Sequence, residues 1–191
     1  MSTSAREKWL WRSATLAAFA GVIVTLAVGP YQLIFGSIAG SAAGTRYAPC
    51  LPGEEVAILD SPHIPEAQGP SVRYNSRPPT SGPHFAFTVS PGIYDEQIRP
   101  GLFVHAMEHG HVVIHYSPTL GAAEIDKLAV IARRYGEDVV LTPGSDLPSA
   151  VALTAWGRID TMDRLDEARI TDFIERLRGR YNHGWTRPAD C

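Results

Sequence analysis

Apolar and polar positions divide this chain sharply. No charged residue occurs between Ser13 and Thr45, and Ala14 to Ala39 is mostly Ala, Leu, Val, Ile, Phe and Gly. A helix that crosses the hydrocarbon core of a bilayer needs about 20 apolar residues. The run therefore predicts a transmembrane span within residues 13–39, with Gly29-Pro30 marking a bend or the start of an interfacial half. A cleavable leader is the competing reading, with Ser41-Ala42-Ala43-Gly44 as its small-residue cleavage site. Because a leader's apolar core is only about 7–15 residues long, a retained anchor fits better.

Beyond the span the pattern changes twice. Between Pro49 and Pro100 lie ten of the fifteen prolines with almost no helical period, which predicts a loop-rich half with one short strand at Val56–Leu59. Disordered chains are poor in aromatics, so Tyr74, Phe85, Phe87, Tyr94 and Phe103 predict that this half is ordered and packed on the rest. The second half is regular. His111–Tyr116 is a β-branched run closed by Ser117-Pro118, hence a strand; Ala122–Tyr135 carries Ile125, Leu128, Ala129, Ala132 and Tyr135 at helical spacing and stops at Gly136. Asp138–Leu141 and Val151–Trp156 read as two further strands, and Asp163 as the N-cap of a final helix through Ile170, Phe173, Ile174 and Leu177 that ends at Gly179. Strand, helix and strand make a right-handed βαβ unit, to which the third strand adds antiparallel. The expected fold class is α+β: an N-terminal transmembrane helix, then a small mixed β-sheet domain with two packed helices and a Pro-rich loop region.

Charge orients the chain. Arg6, Lys8 and Arg12 precede the span and only Arg46 follows it closely, and the basic excess normally stays cytoplasmic. Residues 1–12 are then a cytoplasmic tail, 13–45 the transmembrane anchor and a short linker, and 46–191 an extracytoplasmic domain. Trp9 and Trp11 suit the cytoplasmic membrane interface. The whole chain carries a net charge of −3, with 14 basic and 19 acidic residues after the span. Nothing in it forms the clustered Lys/Arg stripe that binds nucleic acid. Apart from the membrane at residues 13–39, no partner is legible. Cys50 and Cys191 stand at the two ends of the external domain. Outside the cytoplasm two cysteines commonly pair; the alternative is a lipidated or free Cys50 beside the membrane.

The chemistry concentrates in Val104-His105-Ala106-Met107-Glu108-His109-Gly110-His111. Four of the seven histidines lie between His105 and His115, and imidazole is the commonest metal ligand. Helical turns over Leu102–His109 place His105 and His109 at i and i+4, on one face, where both rings reach one ion, with Glu108 on the flank as an orienting or proton-accepting group. His105-x-x-Glu108-His109 also matches the zinc-peptidase pattern H-x-x-E-H. Its context argues against that: Pro100-Gly101 and Gly110 leave too short a helix. The other conspicuous run, Tyr74-Asn75-Ser76-Arg77-Pro78-Pro79-Thr80-Ser81-Gly82-Pro83-His84, is stiffened by proline, so His84 is offered as a third donor at low entropic cost. Asn75 and Ser81 are expected to satisfy backbone groups.

Those runs, with Gly92-Ile93-Tyr94-Asp95, Ala155-Trp156-Gly157-Arg158 and a terminal cysteine, resemble the bacterial family catalogued as domain of unknown function 3105, over most of residues 56–191. The resemblance implies one N-terminal anchor in a bacterial cell membrane and brings no established activity. It places His63, His84, His105, Glu108 and His109 on family motif positions, and leaves His111, His115 and His183 outside them. Many members carry a cysteine where this chain has Pro91, so the resemblance leaves Cys50 as the partner for Cys191.

Three functions follow. The first is a metal-binding domain with His84, His105 and His109 as ligands, His63 or Met107 as a further contact and Glu108 beside them. Imidazole with thioether suits copper, and imidazole with carboxylate and water suits zinc; the resemblance tips the expectation to copper. Binding is expected to weaken below about pH 6–7 as imidazole protonates, and His183→Ala to leave it unchanged. The second is a metal-dependent hydrolase with Glu108 as base. The third is a non-catalytic envelope or interaction domain whose histidines are structural. A non-enzymatic role is favoured over catalysis.

Overall fold

A computed structural model describes residues 51–187, all of them within the unit Ala48–Cys191. The expected span at 13–39, the cytoplasmic tail, Cys50 and Cys191 lie outside the described residues. Among the described residues no helix is long and apolar enough to cross a membrane.

The elements run β1 (Glu54–Glu55), a 3-10 helix (Glu66–Ser71), β2 (Gly92–Ile93), α1 (Pro100–Glu108), β3 (Val112–Tyr116), α2 (Ala122–Arg134), β4 (Val139–Pro143), β5 (Val151–Ala155), β6 (Arg158–Met162), α3 (Glu167–Leu177), β7 (Tyr181–Asn182) and β8 (Trp185–Thr186). Six strands form one mixed sheet in the order β1-β6-β5-β3-β4-β2, and β7 pairs with β8 separately. β3 and β4 are parallel across α2, as the βαβ pattern predicts, and β5 adds to β3 antiparallel. The fold is α+β with a mixed sheet, and three α-helices pack on it where two were expected.

Alternation along the strands sends side chains to both faces of the sheet. Val112, Ile114 and Tyr116 face a large apolar cluster with Leu128 and Ile131 of α2 and Ile170, Phe173, Ile174 and Leu177 of α3. Val113 and Val140 face the opposite way, into a smaller cluster with Phe103, Val104, Ala106 and Met107 of α1 and Trp156. The sheet is covered on both faces, so strand residues such as Val112 to Ile114 are wholly buried. That is why these strands are continuous β-branched runs rather than alternating ones.

Three expectations are corrected. Val56–Leu59 is not a strand: its polar groups bond to loops, with Val56 N–H donating to Gly157 O (2.9 Å), Leu59 N–H to Ser81 Oγ (3.0 Å) and Asn75 Nδ2 to Ala57 O (2.7 Å). The edge pairing falls instead on Glu54–Glu55 with β6. β6 itself escapes a hydrophobicity reading because Arg158 and Asp160 point inward and Ile159 is half-buried. Their charges are met by Gly53 O, which accepts from Arg158 Nη1 at 3.2 Å, and by Arg169, whose Nε donates to Asp160 Oδ2 at 2.8 Å. Finally, α3 is capped by Asp166 rather than Asp163; its carboxylate accepts from Arg169 N–H at 3.0 Å, since the chain up to Met162 is occupied by β6.

Candidate metal centre

Helix α1 presents two faces. Phe103, Val104, Ala106 and Met107 are buried in the smaller core, while His105, Glu108 and His109 share the other side at i, i+3 and i+4. The helix ends in a Schellman motif: His111 N–H donates to Ala106 O (3.1 Å) and Gly110 N–H to Met107 O (2.9 Å). Gly110 takes φ +90°, and a Cβ there would stand 2.7 Å from Tyr181 O. Only glycine meets both demands, which explains the Glu-His-Gly run physically.

The proline-rich loop delivers the second group of donors. Pro78 to Gly82 are buried, and Gly157 N–H donates to Thr80 O at 3.1 Å, which ties the loop to the β5–β6 turn. Tyr74 OH donates to Pro83 O at 2.8 Å, and burial pushes its pKa up to about 12, so it stays a donor. The chain at His84 then runs beside His63 in a short parallel bridge: Ile64 N–H donates to His84 O (2.7 Å) and His84 N–H to Pro62 O (3.2 Å). Phe85 N–H donates to Gly101 O at 3.1 Å and so seats the loop against the start of α1.

The result is that His63, His84 and His105 meet. Their ligand atoms all lie within 4.8 Å of one another, with ring centroids 4.9 to 5.1 Å apart. His84 and His105 are buried and His63 is exposed, so the group opens to solvent at His63. His84 Nδ1 lies 2.9 Å from Gly82 O and His105 Nδ1 lies 2.6 Å from Phe85 O. A carbonyl oxygen only accepts, so both Nδ1 atoms carry the proton, and in the neutral ring each Nε2 is left with a bare lone pair. This is the arrangement that orients metal-binding histidines. His84 Nε2 is buried and makes no hydrogen bond, although Glu108 Oε2 lies 3.1 Å from it. His105 Nε2 faces His109 Nε2 at 3.0 Å. Burial lowers the pKa of His105, partly offset by its bond to Phe85 O, and His84 and His63 press it lower. Burial and the neighbouring His183 and His105 likewise lower that of His109.

Of the expected ligands, His84 and His105 lie in this group together with His63, while His109 lies outside it and touches it through His105. Met107 is not brought there: two residues beyond His105, it lies on the opposite side of α1, wholly buried in the apolar core. His115 is structural: fully buried, its Nε2 is 3.0 Å from Thr154 Oγ1, its ring is edge-on to Phe103 at 4.9 Å, and burial drives its pKa down to about 3. His111 is half-buried, and its pKa is lowered by burial against the raising effect of Asp138.

One further histidine lies beside the cluster. His183 heads the two-residue turn between β7 and β8, with φ +43° followed by Gly184 at +86°, a type I′ hairpin. His183 N–H donates to Glu108 O (3.2 Å), its ring stands edge-on to His109 at 4.4 Å, and its Nδ1 lies 3.5 Å from Glu108 Oε2. The signal was present in Asn182-His183-Gly184, a hairpin-forming run, but nothing local says where such a turn lands. A separate cleft of about 300 Å³, lined among others by Arg77, Gln97, Phe103 and Leu147, contains His115 and none of the grouped histidines.

The sequence model of the family described as "Protein of unknown function (DUF3105)" matches residues 66–189. That span takes in His84, His105, Glu108, His109 and His183 and begins just after His63. No curated protein matches the chain, and no solved structure does.

Proposed function

The chain belongs to the family of proteins of unknown function DUF3105, and from that premise we propose that it is a membrane-anchored, extracytoplasmic domain that binds a transition-metal ion through His63, His84 and His105. The observation that carries this reading is the pair of imidazoles fixed by Gly82 O and Phe85 O, with the buried Nε2 of His84 making no hydrogen bond. A buried polar atom that makes no hydrogen bond is costly; Glu108 Oε2 lies 3.1 Å from it without making one, and a metal ion would give that nitrogen a partner. Three imidazoles with a carboxylate alongside suit zinc or copper(II). A thioether, which would suit copper, is absent from these donors because Met107 lies in the core. Residues 13–39 hold the domain on the outer side of the bacterial membrane, and Cys50 pairs with Cys191 in that oxidising compartment.

The test is metal uptake by the full chain in detergent, stripped with chelator and offered zinc or copper(II). The wild type should retain the ion on desalting and gain thermal stability from it, as any ligand selective for the folded state requires. The double variant His84→Ala/His105→Ala should lose both effects while keeping its far-UV spectrum; equal uptake by the two proteins would overturn the assignment. Glu108 Oε2, 3.1 Å from His84 Nε2, also stands where a base would meet metal-bound water, which makes hydrolysis the second reading. Ester turnover abolished by Glu108→Gln with the metal retained would select it.

A further inference from the structure

The cleft of about 300 Å³ that contains His115 takes no part in the chemistry above. Its volume lies at the lower end of the range for small-molecule sites, about 300–1,000 Å³. Its floor includes Phe103 and His115, both buried, with their rings edge-on at 4.9 Å. The walls come from three segments, each tied down by hydrogen bonds. Tyr74 OH donates to Pro83 O at 2.8 Å. Ile98 N–H donates to Thr142 Oγ1 at 3.0 Å, and Ser145 Oγ donates to Gln97 Oε1 at 2.8 Å, which joins the loop before α1 to the turn after β4. Walls fixed in this way need little further ordering when a ligand enters.

Two kinds of surface meet in the cleft. Ile98, Phe103 and Leu147 line it with apolar area, and Arg73 and Arg77 line it with charge. Arg77 is ion-paired with Asp146, which lines the same cleft. Arg73 is exposed and makes no hydrogen bond or ion pair among the described residues. The lining therefore carries one uncompensated positive charge. On the floor, His115 Nε2 is taken up by Thr154 Oγ1 at 3.0 Å, while Nδ1 of the same ring makes no hydrogen bond among the described residues. A polar ligand atom would find a partner there.

We propose that this cleft binds a small organic monoanion: a carboxylate on a compact apolar or aromatic body, with the body against Phe103, Ile98 and Leu147 and the carboxylate on Arg73. A guanidinium is shaped to receive a carboxylate in two parallel hydrogen bonds. Charge decides the class of ligand. A dianion such as a phosphate monoester calls for a second free cation, and Asp146 already neutralises Arg77. A cationic ligand would meet a net positive lining. The inference is independent of the metal-binding reading, because His63, His84 and His105 do not line the cleft.

The test uses the full chain in detergent with chelator present and para-fluorophenylacetate as the probe, followed by its fluorine resonance against protein-free detergent. Wild type should shift and broaden the signal saturably. It should bind the acid about tenfold or more tighter than the neutral para-fluorophenylacetamide, the discrimination that a hydrogen bond between charged groups supplies. Arg73→Gln, a change at an exposed side chain, should bind acid and amide alike. Leu147→Asp should weaken the acid by a similar factor, and His84→Ala/His105→Ala should bind it as wild type does. The proposal is overturned by no saturable binding to wild type, by equal affinity for acid and amide, or by an acid affinity that Arg73→Gln leaves unchanged. Tighter binding of para-fluorophenyl phosphate than of the acid would overturn the charge assignment, and loss of binding in the histidine double variant would move the carboxylate to the histidine cluster and overturn the cleft.

Discussion

His115 shows what burial does to an imidazole without a charge partner. In the unfolded chain it takes up a proton near pH 6.5, whereas in the folded domain its pKa falls to about 3. Between those values the unfolded state binds more protons, so the stability this neutral ring contributes is fully present above pH 6.5 and is lost as pH falls toward 3. The slope from this one group is about 1.4 kcal/mol per pH unit. Thermal unfolding of the metal-free protein should therefore be steeper in pH below 6.5 for wild type than for His115→Gln, whose amide can still meet Thr154 Oγ1. Coincident pH profiles would mean that His115 titrates freely. His105, by contrast, is offset by its bond to Phe85 O, a bond that fixes its tautomer as well as its protonation.

At the scale of elements, α1 matters more through its ends than its length. Pro100 opens it and supplies no N–H where none is needed, and Gly110 closes it with φ +90° against Tyr181 O. An alanine at Gly110 would be strained in backbone and would push on the strand that leads to His183. Gly110→Ala should cost about 1–3 kcal/mol, seen as a lower midpoint in thermal unfolding. Gly136→Ala is the control: its Cβ would meet Arg133 O at an ordinary 3.5 Å, so its midpoint should stay near wild type. The elements that a hydrophobic pattern reveals are those buried on a continuous face, namely β3, α2, β4, β5 and α3. β6 is hidden because its inward positions are Arg158 and Asp160, which are recognisable as core only once Arg169 and the backbone at Gly53 are placed beside them.

For the whole molecule, the sheet separates two layers with different tasks. The α2–α3 face holds most of the apolar core, and the α1 face carries the smaller core and, on its outer side, the histidines. The histidine cluster is thus attached to the sheet through Val113, Val140 and Trp156 while remaining open to solvent at His63. Placing it outside the cytoplasm rests on Arg6, Lys8 and Arg12 before the apolar run. A phosphatase reporter fused after Cys191, which works only outside the cytoplasm, should be active, and a fluorescent reporter that folds only in the cytoplasm should be dark. The reverse result would invert the chain.

Some of this protein could be derived from its sequence because the cause is local. The charge-free run, the βαβ order, the i, i+4 placement of His105 and His109 and the glycine after Glu108-His109 each follow from neighbours within a few positions, where side-chain period and backbone sterics act. Which donors meet could not be derived that way. His63 and His84 come together through a two-residue bridge, His105 reaches them because Phe85 is bonded to Gly101, and His183 arrives at the tip of a hairpin from the other end of the domain. Met107, a thioether only two residues from His105, lies away from them because the sheet takes its side of the helix. Contacts between segments so far apart in the chain are decided by how the core packs, and a ligand set is such a contact.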